Sequence, residues 1–372
     1  MKNVLLFLII LAVIASTVMW VRHGGGSPYP DLTGTPELSA AAVEEVLSYP
    51  EPIGNVAVSA DGRVFFTVHP EARPRGNKLL EYVNGASVPY PSRQRQAGLF
   101  DTPLGIAIDR FDRLWTIDHG NHGMRPARIV AIDLATNEVL REQQLSEEIA
   151  PLGSFLQDLQ VSADGRTVVI ADASFWRKRP AIVVYDVETG NARRVLENHR
   201  SVSAEDYLIR TRTRDMAFLG GMVALRGGVD GIALGRDWLY FGAISGSGLF
   251  RVRLADLRDE SLSAERLGNR VERFSDKPLS DGLSYDAAGN VYVTDIEHSA
   301  IFRVSPQRKL STLIQAPQIR WPDALSFGPD GWLYVADSAL PELILQPQEH
   351  IKENGPYRVF RFQPGADGVP GQ

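Results

Sequence analysis

The chain has 372 residues, of which 44% are hydrophobic and 23% charged, with a mean hydropathy of −0.13; this is the make-up of a folded globular protein and excludes a disordered one. Its net charge of −6 and isoelectric point near 5.7 speak against a broad phosphate-binding face, so no nucleic-acid partner is expected. The absence of cysteine excludes disulfides, zinc–thiolate sites and a thiol nucleophile.

In chain order, Lys2 precedes an uncharged apolar run over residues 3–21, which Arg22 and His23 close. At ~1.5 Å rise per residue such a helix nearly spans a bilayer, and it exceeds the ~7–15 residues usual for a signal-peptide core. Residues 1–23 are therefore read as a signal anchor, with a cleaved signal peptide as the alternative. Either way the body is expected outside the cytoplasm, periplasmic or secreted, and touching the membrane through this segment only. Residues 24–37, with Gly24, Gly25, Gly26, Pro28 and Pro30, read as a flexible tether, residues 38–364 as the folded body and residues 365–372 as a C-terminal tail.

The body repeats one phrase six times. Its clearest copy is Asp281-Gly-Leu-Ser-Tyr-Asp-Ala-Ala-Gly-Asn-Val-Tyr-Val-Thr-Asp295, an apolar strand, a tight turn and a second apolar strand; the others begin at Gly54, Leu104, Gln157, Asp230 and Asp323. The turn residues Gly62, Asp112, Gly165, Asp237, Gly289 and Gly331 are spaced by 50, 53, 72, 52 and 42 positions. Most copies are followed by further β-rich sequence, such as Arg128-Ile-Val-Ala-Ile-Asp133, giving four strands per repeat. A four-stranded sheet cannot bury two apolar faces alone, so repeats of this period stack radially. The expected fold is all-β, a six-bladed β-propeller with an N-terminal apolar anchor helix. Too little chain follows Tyr357 to finish the last blade, so residues 43–49 are expected to supply its outer strand. The long interval before the fourth copy, residues 198–228, is expected to be an insertion folded over one mouth of the ring.

The first strand of each propeller blade lines the central channel, so the residues opening each phrase converge on one mouth. These are Gly54/Asn55, Leu104/Gly105, Gln157/Asp158, Asp230, Asp281 and Asp323. Several carboxylates aimed at one axis repel unless a cation, hydrogen-bond donors or protonation relieves them. Oxygen ligands without cysteine would suit Ca²⁺ or another divalent cation, with Asp230, Asp281 and Gln157 as the metal set. Asp230 and Asp281 are also the candidate catalytic pair, and Asn55, Gln157, Asp158, Asp323 and Trp321 the candidate ligand-binding residues. Asp118, Asp172, Asp295 and Asp337 end the second strands and read as turn-forming. His69, His119, His122 and His298 should lie near the same mouth, farther from the axis.

Together, the stretches at Asn55, Leu114-Trp-Thr-Ile-Asp-His-Gly120, Ile129, Ser154-Phe-Leu-Gln-Asp158, Ala181, Asp230, Trp238 and Trp321-Pro-Asp323 resemble the major royal jelly/yellow protein family over about residues 40–362. That resemblance implies a secreted six-bladed propeller in a family whose members bind small amines or sterols or are implicated in dopachrome conversion; the cysteines of insect members are missing. A looser resemblance is to the regucalcin/gluconolactonase propellers, in which a divalent cation activates a lactone or water. Asp230 and Asp281 match that pattern and Gln157-Asp158 stands for its Asn-Asp pair, but Gly54/Asn55 replaces its first-blade glutamate. The leading expectation is a small organic ligand bound at the channel mouth, with isomerase- or tautomerase-type turnover as its catalytic form. The alternatives are a metal-dependent lactonase and a non-catalytic binding scaffold.

Overall fold

The computed structural model describes residues 2–372. Six four-stranded antiparallel sheets follow one another around an axis. Their inner strands are Ile53–Val58, Pro103–Ile108, Leu156–Val161, Val229–Leu234, Leu283–Tyr285 and Pro322–Phe327. Four of the six are buried at every position, as expected for strands packed on both faces by neighbouring blades. Trp115, Tyr185, Phe241 and Phe302 fill the spaces between sheets, each such side chain contributing ~1.5–3 kcal/mol by leaving water.

Every inner strand starts at what we term the upper end and turns back at the lower end. The turn residues Gly62, Asp112, Gly165, Gly289 and Gly331 all have positive φ there. Second strands return upward into Asp118, Asp172, Asp295 and Asp337, whose carboxylates accept backbone N–H groups, as the turn-forming reading required. Asp172, for example, accepts from Phe155 N at 2.7 Å and Ser174 N at 3.0 Å, tying the incoming loop to the strand that follows it.

The sixth blade takes its outer strand from the other end of the chain. Glu44–Tyr49 pairs antiparallel with Tyr357–Phe362, Tyr49 opposite Tyr357 and Glu44 opposite Arg361. Instead of adding a fourth strand, the chain after Phe362 crosses the lower end of the tunnel. Ile108 N donates to Gly371 O at 3.1 Å and Phe327 N to Gln372 O at 2.7 Å. Gly371 has φ +87°, and a Cβ there would lie 2.5 Å from Ile108 O, so a glycine is required at this crossing.

A helix, α1 (Lys2–His23), projects from the upper end. Its described side chains are exposed as far as Arg22, whereas His23 and Gly24 are buried in the body. Residues 24–37, read from sequence as a tether, run across the upper end: Ser27–Pro28 pairs with Tyr207–Leu208, Tyr29 Oη donates to Lys277 O at 2.9 Å, and Leu38 bridges Ile314.

Candidate functional site

The upper mouth is built on a local irregularity repeated from blade to blade. At the start of five inner strands the pairing register slips, between Ile53 and Asn55, Pro103 and Ile106, Leu156 and Leu159, Val229 and Ile232, and Pro322 and Ala324. Such bulges release a strand from its partner and re-aim its side chains. Asn55, Gln157, Asp158, Asp230 and Asp323 all sit in or beside these slips. Asp281 precedes its strand and is held differently, its N and that of Gly282 both donating to Thr294 Oγ1 at 3.1 Å. The glycines that follow Asp230 and Asp281 let neighbouring backbones touch: a Cβ on Gly231 would lie 2.1 Å from Asp281 O, and one on Gly282 2.3 Å from Asp323 O. The Asp-Gly pairs thus set the bore of the ring.

The four carboxyl groups converge and are relieved by donors and by protons. Asn55 Nδ2 donates to Asp158 Oδ1 at 2.9 Å, Gln157 Nε2 to Asp230 Oδ2 at 2.6 Å, and Trp321 Nε1 to Asp281 Oδ2 at 2.5 Å. Burial and the charge of Asp281 push Asp158, Asp230 and Asp323 well above the usual carboxylate range. Asp281 is raised by burial only to about 6, because Trp321, Asp230 and the nearby Lys277 ammonium all favour its charged form. Asp281 is therefore the group that ionises first, beside an Asp230 whose proton is held by burial and by the Asp281 charge. Lys277 is fully enclosed, donates to Pro278 O at 3.0 Å and Ser280 Oγ at 2.8 Å, and is lowered to about 7 by its burial.

Above this cluster lies a pocket of about 100 Å³. Gln157, Asp281 and Asp323 reach it from below, and its walls are mainly apolar: Phe155, Phe175, Trp176, Phe218, Ile244 and Leu340 are among them. Phe218 and Val223 come from the insertion, where Ala217–Phe218 pairs with Val223–Ala224, so that segment does cover the mouth. Asn55 and Asp158 lie deeper, lining a narrow space that extends to Gly371. Trp321 is fully buried and acts on the pocket through Asp281.

Histidines border one side. His69 Nδ1 accepts from Glu71 N at 3.2 Å, which places the proton of the neutral ring on Nε2, 3.8 Å from Asp323 Oδ2. Burial lowers His69 to about 4, so the ring is neutral near pH 7. His122 Nε2 meets Glu71 Oε1 at 2.7 Å, and that partner holds the Glu71 carboxyl down at about 2 against its burial. His119 is buried beside Phe155. His298 points away, to Asp295 at 2.9 Å and Asp31 at 3.7 Å. Asp323 Oδ2 is buried and has no hydrogen-bond partner. Asp230, Asp281 and Gln157, the expected metal set, do lie together, but an indole and an amide N–H point at their carboxylate oxygens. Among the described residues no group of three or more His, Asp or Glu side chains is placed to hold a metal ion.

Glu71, Lys277 and most of the apolar walls were not anticipated from sequence, whereas the stretch Phe155-Leu-Gln-Asp158 does place an apolar side chain beside the acidic mouth. Phe175 and Trp176 come from the loop after the second strand of the third blade, as His69 comes from the loop after that of the first, and that shared loop was the available signal.

Comparison with known proteins agrees with this architecture. The pattern described as major royal jelly protein matches residues 102–344. Major royal jelly protein 3 of Apis mellifera is 28% identical over 160 residues, 40% of this chain and 27% of that protein's length. Among solved structures, a luciferin-regenerating enzyme superposes with a TM-score of 0.59 at 12% identity, covering 88% of this chain and 97% of its own. A gluconolactonase from Xanthomonas campestris gives 0.52 at 13% identity, covering 86% and 88%. At such identities these two structures speak to the fold alone.

Proposed function

The chain belongs to the major royal jelly protein family, and from that premise we propose that it binds a small organic molecule carrying an ammonium or other N–H donor beside an aromatic or aliphatic group. The observation that carries this reading is the buried, unpartnered Asp323 Oδ2 at the base of an apolar pocket in which a second acid, Asp281, is raised to about 6. A buried acceptor without a donor costs ~1–3 kcal/mol, which a ligand N–H recovers on binding. Apolar walls take the organic part, and Asp281 supplies the negative charge. The pocket of about 100 Å³ falls below the ~300–1,000 Å³ of sites for drug-sized ligands, so it takes one ring or a short chain at a time.

Proton transfer is the catalytic form of the same reading. Asp281 can accept a proton from a ligand carbon while protonated Asp323 donates one to a heteroatom farther along the ligand, moving a double bond without net oxidation. Environments that push two neighbouring acids apart are how one site holds both a base and an acid. No step is routed through a metal.

Tryptophan fluorescence titrated with 2-phenylethylamine, 3-phenylpropanol and phenylacetate tests the binding. The amine should bind at least about tenfold more tightly than the alcohol, the carboxylate not at all, and Asp281→Asn, which removes the charge, should remove most of the amine's advantage. Equal affinity for amine and carboxylate would overturn the proposal.

A further inference from the structure

The pocket and the helix that could enter a membrane share one face of the ring, and almost no chain separates them. The uncharged run ends at Val21 and His23 is already buried in the body, so the two are only two helical steps, ~3 Å, apart. The junction is fixed on several sides. The His23 ring packs 5.8 Å from Phe175 and 5.6 Å from Trp176, both of which line the pocket. Arg22 Nη2 donates to Arg177 O at 2.9 Å and Arg226 Nη2 to Gly24 O at 2.5 Å.

Around the same face stand apolar side chains with nothing covering them. Outside α1, the four most exposed large apolar residues among those described are Leu152 (71%), Met124 (65%), Leu345 (64%) and Leu219 (60%). They come from loops of different blades, and all four loops are at the upper end. Isolated exposed apolar groups are ordinary, and Phe111 and Leu140, each 55% exposed, lie at lower turns; the upper end differs in carrying the four most exposed ones together on the face from which the 22-residue helix emerges. Leu345 also lines the pocket, as does the exposed Trp176.

We propose that the upper face of the propeller rests in the headgroup layer of the bilayer that holds α1, so that the pocket opens onto the membrane surface and draws amphipathic ligands from it. The polar layer adds roughly 5–7 Å per leaflet to the hydrocarbon core, more than the ~3 Å between Val21 and the body. A face held at that height is already within reach of the headgroups. Arg22, Arg177 and Arg226 at the base of α1 lie at the level of the lipid phosphates. The orientation rests on α1 being an anchor; only the origin of the ligand depends on the binding reading above.

The absence of cysteine makes single-site labelling direct. The full chain, carrying Leu152→Cys, Leu219→Cys or Leu345→Cys on the upper face, Phe111→Cys at a lower turn, or Ile10→Cys within α1, is labelled with nitrobenzoxadiazole. Each variant is reconstituted in vesicles of phosphatidylethanolamine and phosphatidylglycerol, after circular dichroism shows an unchanged fold. Upper-face labels should be quenched by doxyl-labelled lipid and be several-fold less sensitive to aqueous iodide than the Phe111→Cys label, and the Ile10→Cys label should lie wholly in lipid. Equal iodide sensitivity at the two ends overturns the proposal, as does a label at Leu345→Cys shielded from both quenchers, which would indicate a protein partner. An Ile10→Cys label outside lipid removes the anchor on which the orientation stands. Amine binding in detergent is measured separately and succeeds or fails independently of these results.

Discussion

Asp281→Asn should make this protein more stable at neutral pH while changing little in acid. The Asp281 carboxyl is raised from 3.8 to about 6 in the fold, about two units, and each unit corresponds to ~1.36 kcal/mol. A carboxyl whose folded pKa is raised binds its proton more tightly in the native state than in the unfolded one, so stability falls as pH rises. The contribution is fully present below about pH 4 and is lost through about pH 6, some 3 kcal/mol in all. With an unfolding entropy of ~2.1 cal/mol/K per residue, this corresponds to about 4 °C for a chain of this length. His69, lowered to about 4, and His119, lowered further, act with the opposite sign across the same interval because they must stay neutral in the fold. The quantity to read is therefore the difference between variant and wild type, in which the histidine contributions cancel. Differential scanning fluorimetry from pH 4 to 8 should show Tm(variant) minus Tm(wild type) rising by about 4 °C and levelling above pH 6–7. The asparagine can still accept from Trp321 through its carbonyl, so loss of that bond does not mask the effect. A difference flat with pH would refute the account of a charge confined to Asp281.

Deleting residues 38–49 leaves Tyr357–Phe362 as an open edge in a three-stranded blade and should abolish a single cooperative thermal transition, read by calorimetry. Arg194→Met strands the buried Asp172 carboxylate, whose partner lies at 2.7 Å, and should cost ~3–5 kcal/mol in urea denaturation. Arg166→Met, whose pair with Glu188 lies in solvent, should leave the urea midpoint unmoved. Millimolar calcium should not raise Tm, since the oxygens of Asp230 and Asp281 already accept N–H donors; a saturable rise would favour the metal-dependent lactonase instead, and a lactone hydrolysis assay on Asp230→Ala would then decide it.

What was legible in sequence is what repeats. Six copies of strand, turn and strand fixed the blade number, and the shortage of chain after Tyr357 pointed to residues 43–49 as the closing strand. The convergence of Gln157, Asp158, Asp230, Asp281 and Asp323 followed from their shared place in the phrase. The way their charge is relieved did not, because Trp321 Nε1 and Lys277 reach Asp281 through loops that no period governs. Most of the pocket walls were invisible for the same reason: Phe175, Phe218 and Leu340 come from connections of different lengths, and only the closed ring makes them neighbours, whereas Phe155, two residues before Gln157, was legible beside the mouth. The contacts of residues 27–38 depend on backbone pairing with Tyr207–Leu208 and Ile314, and a Gly- and Pro-containing stretch carries no side-chain pattern that foretells such pairing.

Closing the sixth sheet with Glu44–Tyr49 has a cost during synthesis. That strand leaves the ribosome roughly 310 residues before its partner Tyr357–Phe362, and at ~5–20 residues per second it waits on the order of 15–60 s. Throughout that time its backbone edge is unpaired, beside whatever surface has received α1. Slower translation lengthens the wait, so the yield of intact protein should track how well a chaperone shields that one nascent segment until the last strand arrives.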